Sequence, residues 1–225
     1  MNIQTIERKG LIYFSEGGKR ITRTKPWLGD LFSPMYDGIM ERSVFPKKFG
    51  ADMELHERIL AREFGATMGK RIIELGTGSG NMSAILSAEN SYTGVDISPR
   101  LLKTAQKRFM AAGFEEAAFY ITSAETLPFP DGSFDLCISN LSLNFFPDLD
   151  GVLKELGRIL TTDSCFFFSV PVPERIPAGS VVHGKLYTED ELKNIFIRHA
   201  FSFTGLADRN GAVLYARAVL NGESP

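Results

Sequence analysis

A glycine-rich segment preceded by a glutamate is the part of this sequence whose residue types are best suited to ligand binding. It runs Glu74-Leu75-Gly76-Thr77-Gly78-Ser79-Gly80 and overlaps the end of the apolar run 71–75. Glycines let the backbone turn sharply and let a ligand approach the main chain with no Cβ in the way. Asp96 follows Gly76 by about 20 residues, where a carboxylate can accept hydrogen bonds from both hydroxyls of a ribose. The pattern predicts a loop that binds a nucleoside.

The spacing of the glycines separates the candidate ligands. A dinucleotide-binding loop has the form G-x-G-x-x-G, but Asn81 occupies the third glycine position and Gly80 comes one place early. The Gly-Lys-Ser/Thr ending of a phosphate-binding loop does not follow. Because Glu74 beside backbone donors can meet an ammonium and a carboxylate, the loop suits a ligand with an amino-acid tail. S-adenosylmethionine is therefore the predicted ligand, and a glycine turn that only joins a strand to a helix is the alternative.

Three histidines are candidates for acid–base or metal chemistry. His183 lies with Tyr187 in a proline-rich connection, residues 171–187, and a loop of this length can form a lid over a ligand. His183 has the chemistry of a base near neutral pH, and a surface histidine with no role is the alternative. His56 and His199 fall on predicted helices, where we expect both to be structural. Histidines scattered in this way predict no metal site.

A parallel sheet is needed to bring the glycine loop and Asp96 to one edge. Between about residues 70 and 170, short apolar runs rich in β-branched residues alternate with amphipathic stretches, which is the pattern of βα units. Two later runs, 201–205 and 212–217, predict a closing antiparallel pair. The parallel strands are predicted at residues 71–75, 92–96, 118–122, 134–139 and 165–170.

Helices are predicted from start signals and from apolar periodicity. Ser98-Pro99 is an N-cap followed by a proline at the first helical position, and Thr188 with Glu191 is a capping box. A helical stretch is also expected after Gly80. The apolar periodicity predicts four helices, two of which begin at these signals. They span residues 52–64, 98–109, 149–160 and 188–199.

The first 50 residues depart from this alternation. A hairpin is predicted from Gly10 to Thr24 with its turn at Gly17-Gly18, and a short helix from Phe32 to Met40. A segment this short cannot build a good core of its own, so we expect residues 1–50 to cap the sheet. The chain length of 225 residues predicts one domain over residues 1–225.

The charge and composition of the chain limit the classes of partner that we expect for it. The 25 Lys and Arg against 27 Asp and Glu give a net charge of -2, which disfavours nucleic acid as the main partner. The basic run 19–25 is a local exception that we expect to protect a solvated hairpin edge, with RNA binding as the alternative. Two cysteines flanked by apolar residues and no secretion signal predict a cytoplasmic protein. No run approaches the ~18 apolar residues of a membrane span.

In series, these motifs resemble the class I S-adenosylmethionine-dependent methyltransferases, most closely the branch of the ubiquinone and menaquinone biosynthesis methyltransferases. The resemblance covers about residues 33–220 and rests on segments 74–80, 94–98, 124–135 and 139–140 in order. It implies an α/β, Rossmann-like methyltransferase fold. Such a fold has a mostly parallel seven-stranded sheet, an antiparallel final strand pair and helices on both faces.

The resemblance also implies roles for single residues. Glu74 and the loop backbone would hold the methionine end, Asp96 the ribose, Ile97 and residues 123–125 the adenine, and Asn140 would lie near the sulfonium. The cofactor-binding residues implied in this way are Glu74, Gly76, Thr77, Gly78, Gly80, Asp96, Ile97, Ser123, Ala124, Glu125 and Asn140.

The sequence departs from the branch at three places. Ser123 replaces a common aspartate, Leu143-Asn144-Phe145 stands where a histidine pair is frequent, and Thr162-Asp163-Ser164 replaces glycines. Tyr36 corresponds to a tyrosine that the family places near the cofactor, and a packing role is its alternative. The neighbouring Phe145-Phe146 pair could line an apolar substrate pocket or pack in the core.

The predicted function is in-line transfer of a methyl group from S-adenosylmethionine to a small-molecule acceptor, which leaves S-adenosylhomocysteine. The sulfonium is already activated, and alignment alone can contribute ~7–11 kcal/mol, so a dedicated base is optional. His183, Tyr187 and Tyr36 are the candidates for that base. A non-catalytic cofactor-binding or regulatory protein of the same fold is the alternative. The acceptor, the accepting atom and the oligomeric state stay open.

Overall fold

Ten strands form a single mixed sheet in the computed structural model, which describes residues 3–16, 19–20 and 36–221. The strands are β1 (Ile3–Arg8), β2 (Leu11–Glu16), β3 (Lys19–Arg20), β4 (Arg71–Leu75), β5 (Ser91–Asp96), β6 (Ala117–Ile121), β7 (Phe134–Asn140), β8 (Leu160–Pro171), β9 (Thr204–Gly205) and β10 (Val213–Val219). Their order across the sheet is β1-β2-β6-β5-β4-β7-β8-β10-β9, and β3 pairs with β2.

The centre of the sheet is parallel. Strands β4 to β8 pair with one another in parallel, so their carboxyl ends meet at one edge. The final strand β10 runs antiparallel to β8, and the short β9 runs antiparallel to β10. This arrangement confirms the predicted fold class with its closing antiparallel pair.

The amino-terminal strands enlarge the sheet beyond the seven strands expected. β1 and β2 form a hairpin that turns at Lys9-Gly10, and β2 pairs in parallel with β6 through Ile12 and Tyr13. This part of the chain therefore extends the sheet at its edge, contrary to the expected cap over the sheet. The predicted turn at Gly17-Gly18 and the rest of that hairpin lie outside the described residues, although Lys19–Arg20 pairs back with β2.

Most helices begin where the sequence signals indicate. The helices are α1 (Tyr36–Ile39, continued as π-helix by Met40–Phe49), α2 (Met53–Phe64), α3 (Pro99–Ala111), α4 (Leu149–Ile159) and α5 (Glu189–Arg198). Asp52 caps α2 and Ser98 caps α3, each accepting a hydrogen bond from a backbone N–H of the first turn. Thr188 and Glu191 form the predicted capping box of α5.

Two helical predictions differ from the structure. Only a 3-10 turn, Asn81–Ala84, follows the glycine loop, because the chain must enter β5 a few residues later. The helix expected at residues 32–40 begins at Tyr36 within the described residues and runs on to Phe49.

Helices cover both faces of the sheet, as expected. Successive residues of a strand point to opposite faces, and β8 shows this with three buried aromatic side chains. Phe166 and Phe168 pack in the cluster under α4 and α5, whereas Phe167 packs in the cluster under α2 and α3. None of the helices in the described part of the chain has the length and apolarity that crossing a membrane requires.

Candidate active site

Two cavities meet at the carboxyl edge of the parallel strands. The first, the Asp96 cavity, has a volume of about 410 Å³ and is lined by Asp96, Ile97 and residues 122–125. The second, the Glu74 cavity, has a volume of about 390 Å³ and is lined by Glu74 and part of α2. The residues common to both cavities are Gly76, Gly78, Asn140 and Leu141. Ligands of open α/β sheets bind at this edge.

The carboxylate of Asp96 is held in place at the end of β5. Its Oδ2 accepts a hydrogen bond from the Gly78 N–H at 2.9 Å, and its Oδ1 accepts one from the Ser98 N–H at 2.8 Å. These two bonds tie the glycine loop to the start of α3 through one side chain. The carboxylate is therefore oriented before any ligand arrives.

Glu125 adds a second acceptor to the Asp96 cavity. Its Oε1 is buried and has no hydrogen-bond partner in the protein. A buried polar atom without a partner is unfavourable, and an amino group of a ligand would satisfy it. Ser123 and Ala124 line the same cavity, so the segment that the sequence predicted to face adenine lies beside Asp96.

Glu74 lines the Glu74 cavity and is only 2% exposed. The hydroxyl of Tyr92 donates a short hydrogen bond to its Oε2. Burial raises the pKa of Glu74 to about 8, the Tyr92 hydrogen bond opposes this rise, and the charge of Asp96 adds to it. At neutral pH the carboxyl is therefore mostly protonated, and a ligand ammonium would favour its ionised form.

The glycine loop turns in the left-handed region, and one of its glycines leaves room for a ligand. Gly76 has φ +71° and Gly78 has φ +56°, conformations that L side chains rarely adopt. A Cβ at Gly76 would lie 2.4 Å from the Cβ of Ser142. A Cβ at Gly78 would meet nothing closer than the Gly76 carbonyl oxygen at 3.9 Å, so a side chain there would enter the cavities.

Four amides of this loop, which we expected to meet a ligand carboxylate, donate within the protein instead. The N–H groups of Gly76 and Thr77 both donate to the Val95 carbonyl, at 2.8 and 3.1 Å. The Gly78 N–H donates to Asp96, and the Gly80 N–H donates to the Thr77 carbonyl. These bonds hold the loop against β5. A carboxylate in the Glu74 cavity therefore needs donors other than these four amides.

His56 on α2 lines the Glu74 cavity, although we expected it to be structural. Its ring packs between Phe45 and Tyr215, with ring centroids 5.0 and 5.6 Å away. Burial lowers the pKa of His56 to about 4, and Asn140 acts in the opposite direction, so the ring is neutral at pH 7. A polar residue on the same helix face as the buried Ile59 and Leu60 is the signal that could have identified it.

Two of the three base candidates predicted from the sequence lie outside both cavities. His183 is exposed and lines neither cavity, and its backbone carbonyl accepts a hydrogen bond from Asn144 Nδ2 at 2.7 Å. Tyr187 is buried in the core with the Lys185 ammonium 4.7 Å from its ring centre. The backbone of Tyr36 begins α1, and its side chain lies outside the described residues.

His199, which we predicted to lie on a helix, directly follows the last residue of α5. It caps the end of α5, and its Nε2 lies 2.8 Å from Asp150 Oδ1. The aromatic pair Phe145-Phe146 lines the Asp96 cavity, and Phe146 also packs against the core cluster under α4 and α5.

Comparison with known proteins finds a methyltransferase domain in this chain. The family model described as "Methyltransferase domain" matches residues 73–168. The chain is 29% identical to an arsenite methyltransferase of Aquipseudomonas alcaligenes over 66% of this chain and 51% of that protein. It is 34% identical to a demethylmenaquinone methyltransferase of Thermus thermophilus over 57% of each chain. The chain thus spans about half the length of these curated relatives.

Solved structures share the fold at lower identity. A structure of an S-adenosylmethionine-dependent methyltransferase of Thermotoga maritima, described as a possible histamine N-methyltransferase, matches with a TM-score of 0.62 and 18% identity. The match covers 86% of this chain and 98% of that one. The fold, the motif series and the matched domain agree: residues 73–168 match a methyltransferase domain, and the fold is that of solved S-adenosylmethionine-dependent methyltransferases.

Proposed function

We propose that this chain transfers the methyl group of S-adenosylmethionine to a small organic acceptor. The observation that carries the proposal is the position of two carboxyl groups, Asp96 and Glu74, in two cavities that meet at Gly76 and Asn140. A ligand with a ribose at one end and an ammonium at the other matches this arrangement. The bound cofactor supplies an activated methyl group, and the protein residues align it with the acceptor.

The side chains fit each part of the cofactor. Asp96 is oriented to accept hydrogen bonds from ribose hydroxyls, and the unpartnered Oε1 of Glu125 can accept one from the adenine amino group. Glu74 would take the ammonium of the methionine tail. Gly78 leaves the space that a side chain would fill. Asn140 lies where the two cavities join, and its Oδ1 accepts a hydrogen bond from the Ser169 hydroxyl at 2.7 Å, which holds its amide still.

The acceptor that fits the remaining space is apolar. The Glu74 cavity carries an apolar and methionine-rich wall made of Met40, Phe45, Met53, Leu60, Ile85 and Leu141. Methionine side chains adapt to irregular apolar ligands. The relatives named for arsenite and for demethylmenaquinone differ widely in acceptor, and this wall supports an organic molecule of the second kind.

The cysteines argue against arsenite as the acceptor. Binding of a soft, thiophilic centre needs thiolates. Burial raises the pKa of Cys137 and also that of Cys165, so both stay thiols at neutral pH. Neither thiol lines either cavity, and the sequence has only these two cysteines.

The rest of the proposal concerns the class of partner, the cellular location, the domain organisation and the need for a base. A net charge of -2 supports a small molecule rather than a nucleic acid as the partner. Two unpaired cysteines support a cytoplasmic location. We further propose that residues 1–225 act as one domain. Since His183 and Tyr187 line neither cavity, alignment rather than a dedicated base would carry the transfer.

The test has two steps. Isothermal titration with S-adenosylmethionine and S-adenosylhomocysteine should give binding, and methyl-labelled cofactor should then label an acceptor from a panel of quinols, phenols and fatty acids. Absence of binding at millimolar ligand would contradict the proposal. Binding without transfer to any acceptor of the panel would favour a non-catalytic cofactor-binding protein.

A further inference from the structure

A buried amide determines the direction of a hydrogen-bond chain that ends in the Glu74 cavity. The side chain of Asn210 accepts a hydrogen bond from the Asp52 N–H at 2.8 Å through its Oδ1. Its Nδ2 donates to the Asp52 carbonyl at 2.9 Å and to the Tyr215 hydroxyl oxygen at 3.0 Å. Because Oδ1 accepts and Nδ2 donates, the amide can adopt only one orientation. The Tyr215 oxygen is therefore an acceptor toward Asn210.

This orientation decides which nitrogen of His56 carries the proton. The hydroxyl proton of Tyr215 remains for the next contact in the chain, the Nδ1 of His56 at 2.8 Å. Burial raises the pKa of Tyr215, so this hydroxyl keeps its proton. A neutral imidazole that accepts at Nδ1 carries its hydrogen on Nε2. The chain from Asn210 through Tyr215 therefore makes His56 Nε2 a hydrogen-bond donor.

That donor makes no hydrogen bond of normal geometry in the protein, although the Asn140 side chain lies close enough to raise the pKa of His56. His56 is 3% exposed, and its Nε2 is buried without a hydrogen bond. A buried donor left unsatisfied is unfavourable, and a ligand acceptor would satisfy it. Since His56 lines the same cavity as Glu74 and the glycine loop, the ligand that satisfies it lies in that cavity.

Four backbone amides of the glycine loop are already used as donors. The amides of Gly76, Thr77, Gly78 and Gly80 all donate within the protein. Arg58 also lines the cavity, but its side chain is 59% exposed and its Nη1 lies 2.5 Å from Glu54. His56 Nε2 is thus a buried side-chain donor that a ligand carboxylate in this cavity can use.

We propose that His56 donates its Nε2 hydrogen to the carboxylate of the cofactor's amino-acid tail, while Glu74 binds the ammonium of the same tail. The inference rests on the proposed function. A neutral donor suffices at this place, because a hydrogen bond to an ionised acceptor is charge-assisted. Tyr215 is then a positioning residue that fixes the tautomer of His56.

The test compares two nucleosides that differ in the tail. S-adenosylhomocysteine carries the amino-acid tail, and 5′-methylthioadenosine lacks it. For His56→Leu, we expect the affinity for S-adenosylhomocysteine to fall about 10- to 100-fold, the range for a hydrogen bond to a charged group. The affinity for 5′-methylthioadenosine should stay within about twofold, so the ratio of the two reports the tail alone.

Two further variants distinguish the loss of the hydrogen-bond donor from a general change in the structure. His56→Gln keeps a neutral donor near the Nε2 position and should restore most of the affinity ratio. His199→Leu removes a histidine that lies outside both cavities and should leave the ratio unchanged. In the wild-type protein without ligand, a nitrogen-15 spectrum of labelled histidine should show the His56 proton on Nε2.

Distinct results would overturn the inference. Equal losses for the two nucleosides, or no loss for either, would mean that His56 does not bind the tail. A His56 proton on Nδ1 would contradict the hydrogen-bond chain. If Arg58→Gln lowers the affinity ratio and His56→Leu does not, the arginine is the donor. Wild-type protein that binds neither nucleoside would instead remove the proposed function, and this inference with it.

Discussion

At the scale of single residues, the site is built from carboxyl groups in contrasting surroundings. Asp96 accepts backbone hydrogen bonds at the rim of the sheet, whereas Glu74 is buried beside the Tyr92 hydroxyl. The first arrangement favours a carboxylate, and the second favours a neutral acid that a ligand cation converts into a carboxylate. Cofactor binding should therefore release a proton from Glu74 at neutral pH, because the pKa of this group lies at about 8 in the ligand-free protein.

The raised pKa of Glu74 predicts a pH-dependent stability. Between pH 4.5 and 8 the folded protein holds a proton that the unfolded chain has lost, so the free energy of unfolding falls as pH rises. His56, with its pKa lowered from 6.5 to about 4, acts in the opposite sense below pH 6.5. From pH 6.5 to 8 Glu74 acts alone and should lower the free energy of unfolding by roughly 1–2 kcal/mol.

Glu74→Gln provides the comparison for urea unfolding measured at pH 6.5 and pH 8. The amide can still accept the Tyr92 hydrogen bond but does not titrate. The difference in the free energy of unfolding between wild type and this variant should change by roughly 1–2 kcal/mol between pH 6.5 and pH 8. A difference that is the same at both pH values would show that Glu74 does not hold a proton in the folded protein.

Asp96→Ala should weaken S-adenosylhomocysteine binding by about 10- to 100-fold, the loss expected when acceptors for two ribose hydroxyls are removed. Part of the loss would come from the loop, since Gly78 would lose its acceptor. Titration with adenine is the control, because adenine has no ribose, and its affinity should change far less. Unchanged affinity for S-adenosylhomocysteine would refute the ribose assignment.

At the scale of elements, local signals were readable from the sequence and distant pairings were not. The caps Ser98 and Thr188 act within one helical turn, so their residue types alone predicted where α3 and α5 begin. The pairing of β2 with β6 joins segments about a hundred residues apart, and nothing local in either strand specifies that partner. For the same reason the sequence did not indicate that His56 lines a cavity, because its hydrogen-bond partner Tyr215 lies 159 residues away.

The sheet-edge position of β2 predicts a stability effect that alternates along the strand. Leu11 is buried in the core, whereas Ile12 is half-buried on the other face. Leu11→Ala should lower the free energy of unfolding by about 2–4 kcal/mol, and Ile12→Ala by less, because a buried deletion leaves a cavity. Denaturant unfolding of both variants measures this. Equal and small effects would contradict a β2 that belongs to the core of the sheet.

At the scale of the whole molecule, the last strand of the chain supports the site that the first βα units form. Tyr215 of β10 pairs with Ser169 of β8, which pairs in turn with Asn140 of β7, so the three residues lie in one row across the sheet. Residues opposite one another in a sheet share a face. This row leads from the hydrogen-bond chain of His56 to the junction of the two cavities. The site thus depends on segments from both halves of the chain.

A crystal structure of the protein with S-adenosylhomocysteine tests the central claim most directly. We expect the ribose hydroxyls on Asp96, the tail ammonium on Glu74 and the sulfur between Gly76 and Asn140, with the apolar wall beside the sulfur left for the acceptor. A ligand bound away from the Asp96 and Glu74 cavities, or one bound with its tail in the Asp96 cavity, would contradict the account.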